Sequence, residues 1–476
     1  MTLARLVMPA LRASADGAFV HEGERITQAI ELGVGGFIIF GGTPEAVRRL
    51  TRDLVERAGR PLLIGSDLER GAGQQFAGLT EFPPPRALAA LDDLDDIATA
   101  ASVTAREARS LGINWVFAPD ADLDILPENP IVQTRSFGDD PARVADCVRV
   151  WVEACQSAGA LACAKHYPGH GRTATDSHAG LPVVRASAAT LAGSDGMPFD
   201  AAIGARVASI MTAHVAYPAL DPTGAPATRS RSILGALREG KRFDGLIVTD
   251  ALIMEGATAG VSEAEGVVEA IAAGVDILLY PHDVVAVVAA LDAASSTGRL
   301  PAARVAGALA RYGQALARVA RPTEPAVPAT EAARSMADRL LMHGVIGGVL
   351  PPLRAPIELV VVDDDLGGPY PPGPSDLVDR ALEAEGLTGA GGSRIALVFA
   401  EPRAWKGRAG LGAASRAQLQ ELGGADLIVL FGHPRLAAEL PAGVPVLIAW
   451  HRQRLMQDAV ARWISRQSPR AAARRG

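Results

Sequence analysis

The sequence predicts an α/β chain: a TIM (β/α)8 barrel followed by a smaller α/β domain. Three observations carry this. Short apolar runs alternate with longer helical stretches over about 300 residues, the length of such a barrel. Polar residues recur at the ends of those runs. A proline-rich segment, Arg321-Pro-Thr-Glu-Pro-Ala-Val-Pro, then separates this region from a second, shorter alternation.

The barrel's candidate strands are Leu6–Pro9, Gly36–Phe40, Leu62–Ser66, Asn114–Ala118, Ala160–Lys165, Ser209–Ala213, Gly245–Asp250 and Asp276–Tyr280. Amphipathic or alanine-rich stretches between them read as helices: Pro44–Arg57, Leu94–Leu111, Pro141–Ala158, Ser230–Gly240, Ser262–Ala273 and Val284–Ala294. The right-handed crossover rule leaves few rival topologies, a doubly wound sheet being the alternative. The barrel is favoured because Asp67, Arg135 (a little past the fourth strand), Lys165-His166, His214 and Asp250 stand at strand ends, which a barrel gathers on one face. We therefore divide the chain into a barrel over 1–320, a linker over 321–330 and a second domain over 331–476. In the second, a helix from about Ala329 to His343 leads to strands Glu358–Val362, Ile395–Phe399, Leu427–Phe431 and Val446–Ala449, a small parallel sheet. Helices Ser375–Glu385, Arg416–Leu422 and Arg454–Ser465 go with it. No G-x-G-x-x-G opens its first helix, so nucleotide binding is not supported. The acidic run Asp363–Asp365 reads as a strand-end turn rather than a metal site.

Composition narrows the class. The chain has 476 residues, 49% hydrophobic and 21% charged, enough for a substantial core. A net charge of −7 argues against a nucleic-acid partner, and the basic tail around Arg466, Arg470, Arg474 and Arg475 reads as a solvated end. No run of eighteen apolar residues suggests a membrane span. The first residues lack a basic n-region and carry Arg5 inside the apolar run, so they read as a strand and not a signal peptide. Three cysteines, Cys147, Cys155 and Cys163, do not make a disulfide framework, which points to a reducing cytoplasm. Cys163 and His166 have ligand-like spacing without a second pair, so Cys163 reads as a core thiol.

One stretch concentrates chemistry. Lys165-His166-Tyr167-Pro168-Gly169-His170-Gly171, followed by Asp176-Ser177-His178, holds three of the chain's nine histidines in fourteen residues. The apolar run before it, Ala160–Ala164, reads as a buried parallel strand, so Lys165 and His166 sit at its C-terminal end. Asp250 closes the apolar run Leu246-Ile247-Val248-Thr249, a rigid mounting for a nucleophile or base. Asp176 and His178 are two apart, and an aspartate that charges an imidazole makes an acid/base near neutral pH. A carboxylate nucleophile and a separate proton donor suffice to cleave a glycosidic bond with retention. By residue type alone, Asp176-His178 reads equally as a loop-capping pair and Asp250 as a surface acid.

The signature Lys165–Gly171 with Asp176-Ser177-His178 resembles that of the β-N-acetylhexosaminidases of glycoside hydrolase family 3. Other segments agree in order: Ile64-Gly-Ser-Asp67-Leu-Glu, Gly112-Ile-Asn-Trp-Val-Phe-Ala-Pro119, Arg135-Ser-Phe-Gly138, Met211-Thr-Ala-His214, Pro226-Ala-Thr228 and Val248-Thr-Asp250-Ala-Leu-Ile-Met-Glu-Gly256. The resemblance covers residues 1 to 320, and residues 330 to 476 resemble the αβα-sandwich domain that follows the barrel in many members. It implies a retaining double displacement with Asp250 as nucleophile and the His178/Asp176 dyad as acid and base. It implies sugar binding by Asp67, Arg135, Lys165 and His166, bracing roles for His170 and His214, and no metal or organic cofactor. Ala72 stands where the family usually has an arginine, with Arg70 nearby, and this departure bears on sugar recognition. The rivals are a glucosidase-like member taking its acid from Glu401, a phosphorylase, and a non-catalytic sugar-binding protein. The expected partner is a small carbohydrate, muropeptide-derived or chitin-derived, bound by a cytoplasmic monomer or homodimer.

Overall fold

The computed structural model of the chain describes residues 2–174, 180–320, 326, 328–368, 372–422 and 424–468. Packing divides it into two compact units: Met1–Thr80, Leu94–Val132 and Ser136–Pro328 form the first, and Glu81–Asp93, Gln133–Arg135 and Ala329–Gly476 the second.

The strands of the first unit are β1 (Val7–Met8), β2 (Ala10–Arg12), β3 (Gly36–Phe40), β4 (Leu63–Ser66), β5 (Trp115–Val116), β6 (Leu161–Tyr167), β7 (Ser209–Thr212), β8 (Leu246–Thr249) and β9 (Leu278–Leu279). From β2 to β8 they form one seven-stranded sheet in chain order, each pair parallel. β1 pairs in parallel with β9, and a bridge joins Val248 of β8 to Ile277 just ahead of β9. Because β1 and β2 are one run of chain around Pro9, the sheet curls back toward its start, a TIM-like α/β arrangement. Proline has no N–H to give a ladder, and of the expected strand Leu6–Pro9 only Val7–Met8 is strand, with Ala10–Arg12 following beyond its expected end. The expected strand Asp276–Tyr280 keeps only two residues. The N–H groups of Asp276 and Ile277 both turn to the Ile247 carbonyl, and Tyr280 leaves at φ +51°.

All seven residues of β6 are buried, as an apolar strand covered on both faces must be. Helices between the strands begin where the sequence supplies caps. Thr43 accepts the Ala46 N–H ahead of Pro44–Ala58, and Asp140 the Arg143 N–H ahead of Pro141–Ser157. The expected helix Ser230–Gly240 is instead an α-helical turn, Arg231–Gly235, running into a π-helical one, Ala236–Gly240.

The second unit holds a five-stranded sheet ordered β10 (Val345–Ile346), β14 (Val446–Ile448), β13 (Leu427–Gly432), β12 (Arg394–Ala400) and β11 (Glu358–Asp363). The four expected strands are parallel, and β10 adds an antiparallel edge. Helices Thr330–Met342, Leu377–Ala384, Ala413–Glu421 and Arg454–Gln467 accompany them. This unit also draws on two segments from within the expected 1–320 region. Glu81 accepts the Leu455 N–H, the Phe82 carbonyl accepts from the Gln453 side chain, and Ala87 lies in the unit's core.

Candidate active site

Five strand ends of the first unit supply the polar groups. Asp67 and Glu69 follow β4, Asp120 and Asp122 follow β5, Lys165 and His166 end β6, His214 follows β7 and Asp250 follows β8. All are C-terminal ends, where parallel α/β sheets present side chains free of ladder duties.

Lys165 is buried, and its Nζ lies 2.8 Å from Asp67 Oδ1 and 2.8 Å from Glu69 Oε1. Glu69 is buried too, whereas the Asp67 side chain keeps 32% of its surface open. The lysine thus ties an accessible carboxylate to a buried one. His166 sits between two acids: Nδ1 is 2.7 Å from Asp122 Oδ2, and Nε2 is 3.8 Å from Asp250 Oδ2. Asp122 is fully buried, and its Oδ1 also accepts the His170 N–H. Asp250 keeps 19% of its side chain open, and its Oδ1 accepts the Ala251 N–H at 2.7 Å.

The surroundings bias the histidines in different directions. Burial pushes His170 down to about 4, with its Nδ1 2.7 Å from the Thr173 hydroxyl. Burial also lowers His214, whose Nε2 faces the Ala251 carbonyl and whose Nδ1 faces the Thr228 hydroxyl. For His166 burial works the same way, but the Asp122 carboxylate outweighs it and the pKa ends above the ordinary imidazole value. Burial raises the Cys163 thiol to about 12, the behaviour of an inert core thiol.

Asp120, Asp122 and His166 place potential metal-ligand atoms within 4.8 Å of one another. The arrangement does not fit an ion: His166 Nδ1 and Asp122 Oδ2 face each other across a hydrogen bond instead of a common centre.

Of the sequence-derived site residues, Asp67, Lys165, His166 and Asp250 come together in this unit. Asp176 and His178 lie outside the described residues. Arg135 falls in a turn, Gln133–Arg135, that packs with the second unit. Ala72 is buried in the turn after Glu69. Glu401, the rival proton donor, belongs to the second unit. Its Oε1 accepts from His451 and from the Arg452 N–H, each at 2.9 Å, and its Oε2 from Arg403 at 3.0 Å, so both oxygens are committed to protein groups. Asp363–Asp365 are likewise engaged, by Lys406, Arg408 and Arg452. Sequence reading passed over Asp122 and gave Glu69 no role. The alternation Asp120-Ala-Asp122-Leu-Asp124 directly after an apolar strand is the signal that marks the first.

Residues 12–314 match the family model described as the glycosyl hydrolase family 3 N terminal domain. The chain belongs to glycosyl hydrolase family 3. It is 36% identical over 273 residues to a β-hexosaminidase of Thiobacillus denitrificans, a match covering 54% of this chain and 75% of that protein. It is 37% identical over 259 residues to a β-N-acetylglucosaminidase/β-glucosidase of Cellulomonas fimi, covering 52% of this chain but 46% of the relative, so the matched region spans less than half of that protein. Among solved structures, a family 3 β-N-acetylglucosaminidase from Paenibacillus sp. superimposes with a TM-score of 0.82 at 27% identity, over 98% of this chain and 97% of the other. The β-glucoside phosphorylase BglX shares the fold, with a TM-score of 0.86 at 23% identity over 98% and 92%. This family 3 chain is by class a glycoside-hydrolase-type enzyme, and the strand ends just described are its candidate active site.

Proposed function

We propose that the chain is a retaining exo-β-N-acetylglucosaminidase with Asp250 as nucleophile and the His178/Asp176 pair as acid and base. The mounting of Asp250 carries this reading: a partly open carboxylate at the end of β8, 3.8 Å from His166 Nε2. A nucleophilic carboxylate has to stay in one place, and a strand end where its Oδ1 accepts the Ala251 N–H meets that need. The relatives' names support the substrate class.

In the first step an Asp250 oxygen bonds to the anomeric carbon as the bond from that carbon to the aglycone oxygen breaks, and His178 gives that oxygen its proton. In the second, water adds to the same carbon and yields a proton to His178, and the bond to Asp250 breaks, restoring the carboxylate. Asp67, Arg135, Lys165 and His166 form the sugar-binding set in this reading. A closed eight-stranded barrel and an αβα sandwich are the architectures it assumes. A cytoplasmic setting, supported by three buried free thiols, and N-acetylglucosamine glycosides derived from cell wall or chitin belong to it as well.

The test is a panel of aryl β-glycosides (N-acetylglucosaminide, glucoside, xyloside) run with and without phosphate. The N-acetylglucosaminide should be hydrolysed fastest, with phosphate leaving the product unchanged. Asp250→Asn should abolish turnover. His178→Ala should slow cleavage of a poor leaving group by about 10²–10⁴-fold, and Glu401→Gln should leave it near wild type. Release of a sugar 1-phosphate would replace hydrolysis by phosphorolysis, and normal turnover by Asp250→Asn would end the proposal.

A further inference from the structure

Asp122 carries none of the roles assigned so far, yet it is fully buried, as is Asp120 two residues before it. Its oxygens meet the His166 ring at 2.7 Å, the His166 N–H at 3.3 Å and the His170 N–H. An ionised carboxylate only accepts, so Nδ1 of His166 must hold a proton toward it. The ring is thereby oriented with its other nitrogen toward Asp250, 3.8 Å away. Other groups facing this ring are Asp120, His170 at 5.9 Å between centroids, and His214 beyond Asp250. Lys165, next in the chain, directs its ammonium to Asp67 and Glu69. Among the described residues, acids therefore outnumber cations around His166, and burial disfavours the charged forms of His170 and His214.

We propose that Asp122 is a positioning residue: through the Nδ1 hydrogen bond it aims His166 Nε2 at Asp250 and makes that ring the resident cation beside the nucleophile. The inference rests on the hydrolase reading for its catalytic meaning. When the bond between sugar and Asp250 breaks, the carboxylate regains its negative charge, and a fixed positive charge beside it favours that step. In Asp122→Asn the side chain keeps its shape but presents an amide, which cannot hold the positive charge in place. Burial would then be opposed by Asp250 and Asp120 without Asp122, and the ring would give up its proton at lower pH. The opposed directions found for the two partners, His166 upward and Asp122 downward from their ordinary values, agree with a pair that shares its proton on the ring.

The experiment is nitrogen-detected NMR of the histidine rings in the full-length enzyme, with the His166 signal assigned by its loss in His166→Gln. The expected result is an imidazolium signature for His166 at pH 7 in wild type. In Asp122→Asn the titration should move to lower pH by about one unit or more, and the alkaline limb of kcat/KM should move in the same direction. A neutral His166 at pH 7 in wild type overturns the proposal, and this reading needs no variant of Asp122 to fold. A uniform fall in kcat/KM with an unshifted pH profile overturns it too, leaving Asp122 a structural group. If wild type turns over no glycoside at all, the hydrolase reading fails while the ring titration still decides the state of His166.

Discussion

Lys165 shows how a residue type can suggest a role while the partners of the side chain stay hidden in the sequence. At a strand end a lysine suggests a sugar ligand, but here its ammonium bridges Asp67 and Glu69. Glu69 then governs how firmly Asp67 is held. Glu69→Gln should weaken that tether, costing about 1.5–3 kcal/mol of stability in denaturant titrations and raising KM more than it lowers kcat. An unchanged KM would make Glu69 a purely structural partner. His170 offers a second test through its depressed pKa, about 4 against the ordinary 6.5. Above pH 6.5 neither folded nor unfolded chain holds the proton, and the contribution to stability is complete. As pH falls toward 4, the unfolded chain binds a proton that the folded one refuses, and stability drops by about 1.4 kcal/mol per pH unit. His166 has the opposite sign: its raised pKa adds stability that is fully present below the ordinary imidazole value and is lost as pH rises through the folded one. Replacing His170 by Asn should therefore shrink the stability difference between pH 7 and pH 4.5 by about 2–3 kcal/mol. Equal pH slopes in the two proteins would refute the neutral, buried ring.

β6 and the loop that follows act as one piece, since the loop must pass closely over the segment that carries Asp122. Gly171 makes that passage possible: a Cβ there would sit 1.9 Å from the Leu123 carbonyl oxygen. Gly171→Ala should cost about 1–3 kcal/mol by overpacking and displace Asp122 from His166, so kcat should fall further than the lost stability explains. Thermal unfolding and kinetics on the same preparation would check this, and normal kcat in a destabilised variant would uncouple loop from site. The elements themselves were legible to the extent that one local signal defined them. Gly36–Phe40 is found as expected because an apolar run bounded by glycines has few other uses. Pro44–Ala58 and Pro141–Ser157 announce themselves by a cap, a proline and an apolar stripe. Less legible was what depends on partners distant in sequence. The Lys165 pairs with Asp67 and the Asp122 pair with His166 reach across 98 and 44 residues, and no periodicity encodes them. The same reason explains β10, a two-residue edge strand made only by β14, and the packing of Glu81–Asp93 with the second unit.

The candidate active site and the Asp276 cluster lie at opposite ends of the first unit's strands. Asp276 precedes β9, is fully buried, and takes the Ile247 N–H at 3.0 Å. Three guanidinium groups converge on it, Arg238 at 2.7 Å, Arg304 at 2.8 Å and Arg311 at 2.9 Å. Burial pushes Arg238 down to about 10 even with this acid beside it, a measure of how unfavourable the site is for unbalanced positive charge. One carboxylate thus joins the start of the last strand to the Ala236–Gly240 turn and to the helix Ala302–Arg318. Asp276→Asn would leave three partly buried cations without their counter-charge, at a cost of about 3–5 kcal/mol. The candidate active-site groups sit at the other strand ends, so under the proposed function kcat per folded molecule should stay near wild type. Denaturant unfolding with active-site titration would separate the two effects. A variant of normal stability but lowered kcat would show that the end of the sheet held by Asp276 is coupled to Asp250, contrary to the division argued from strand direction.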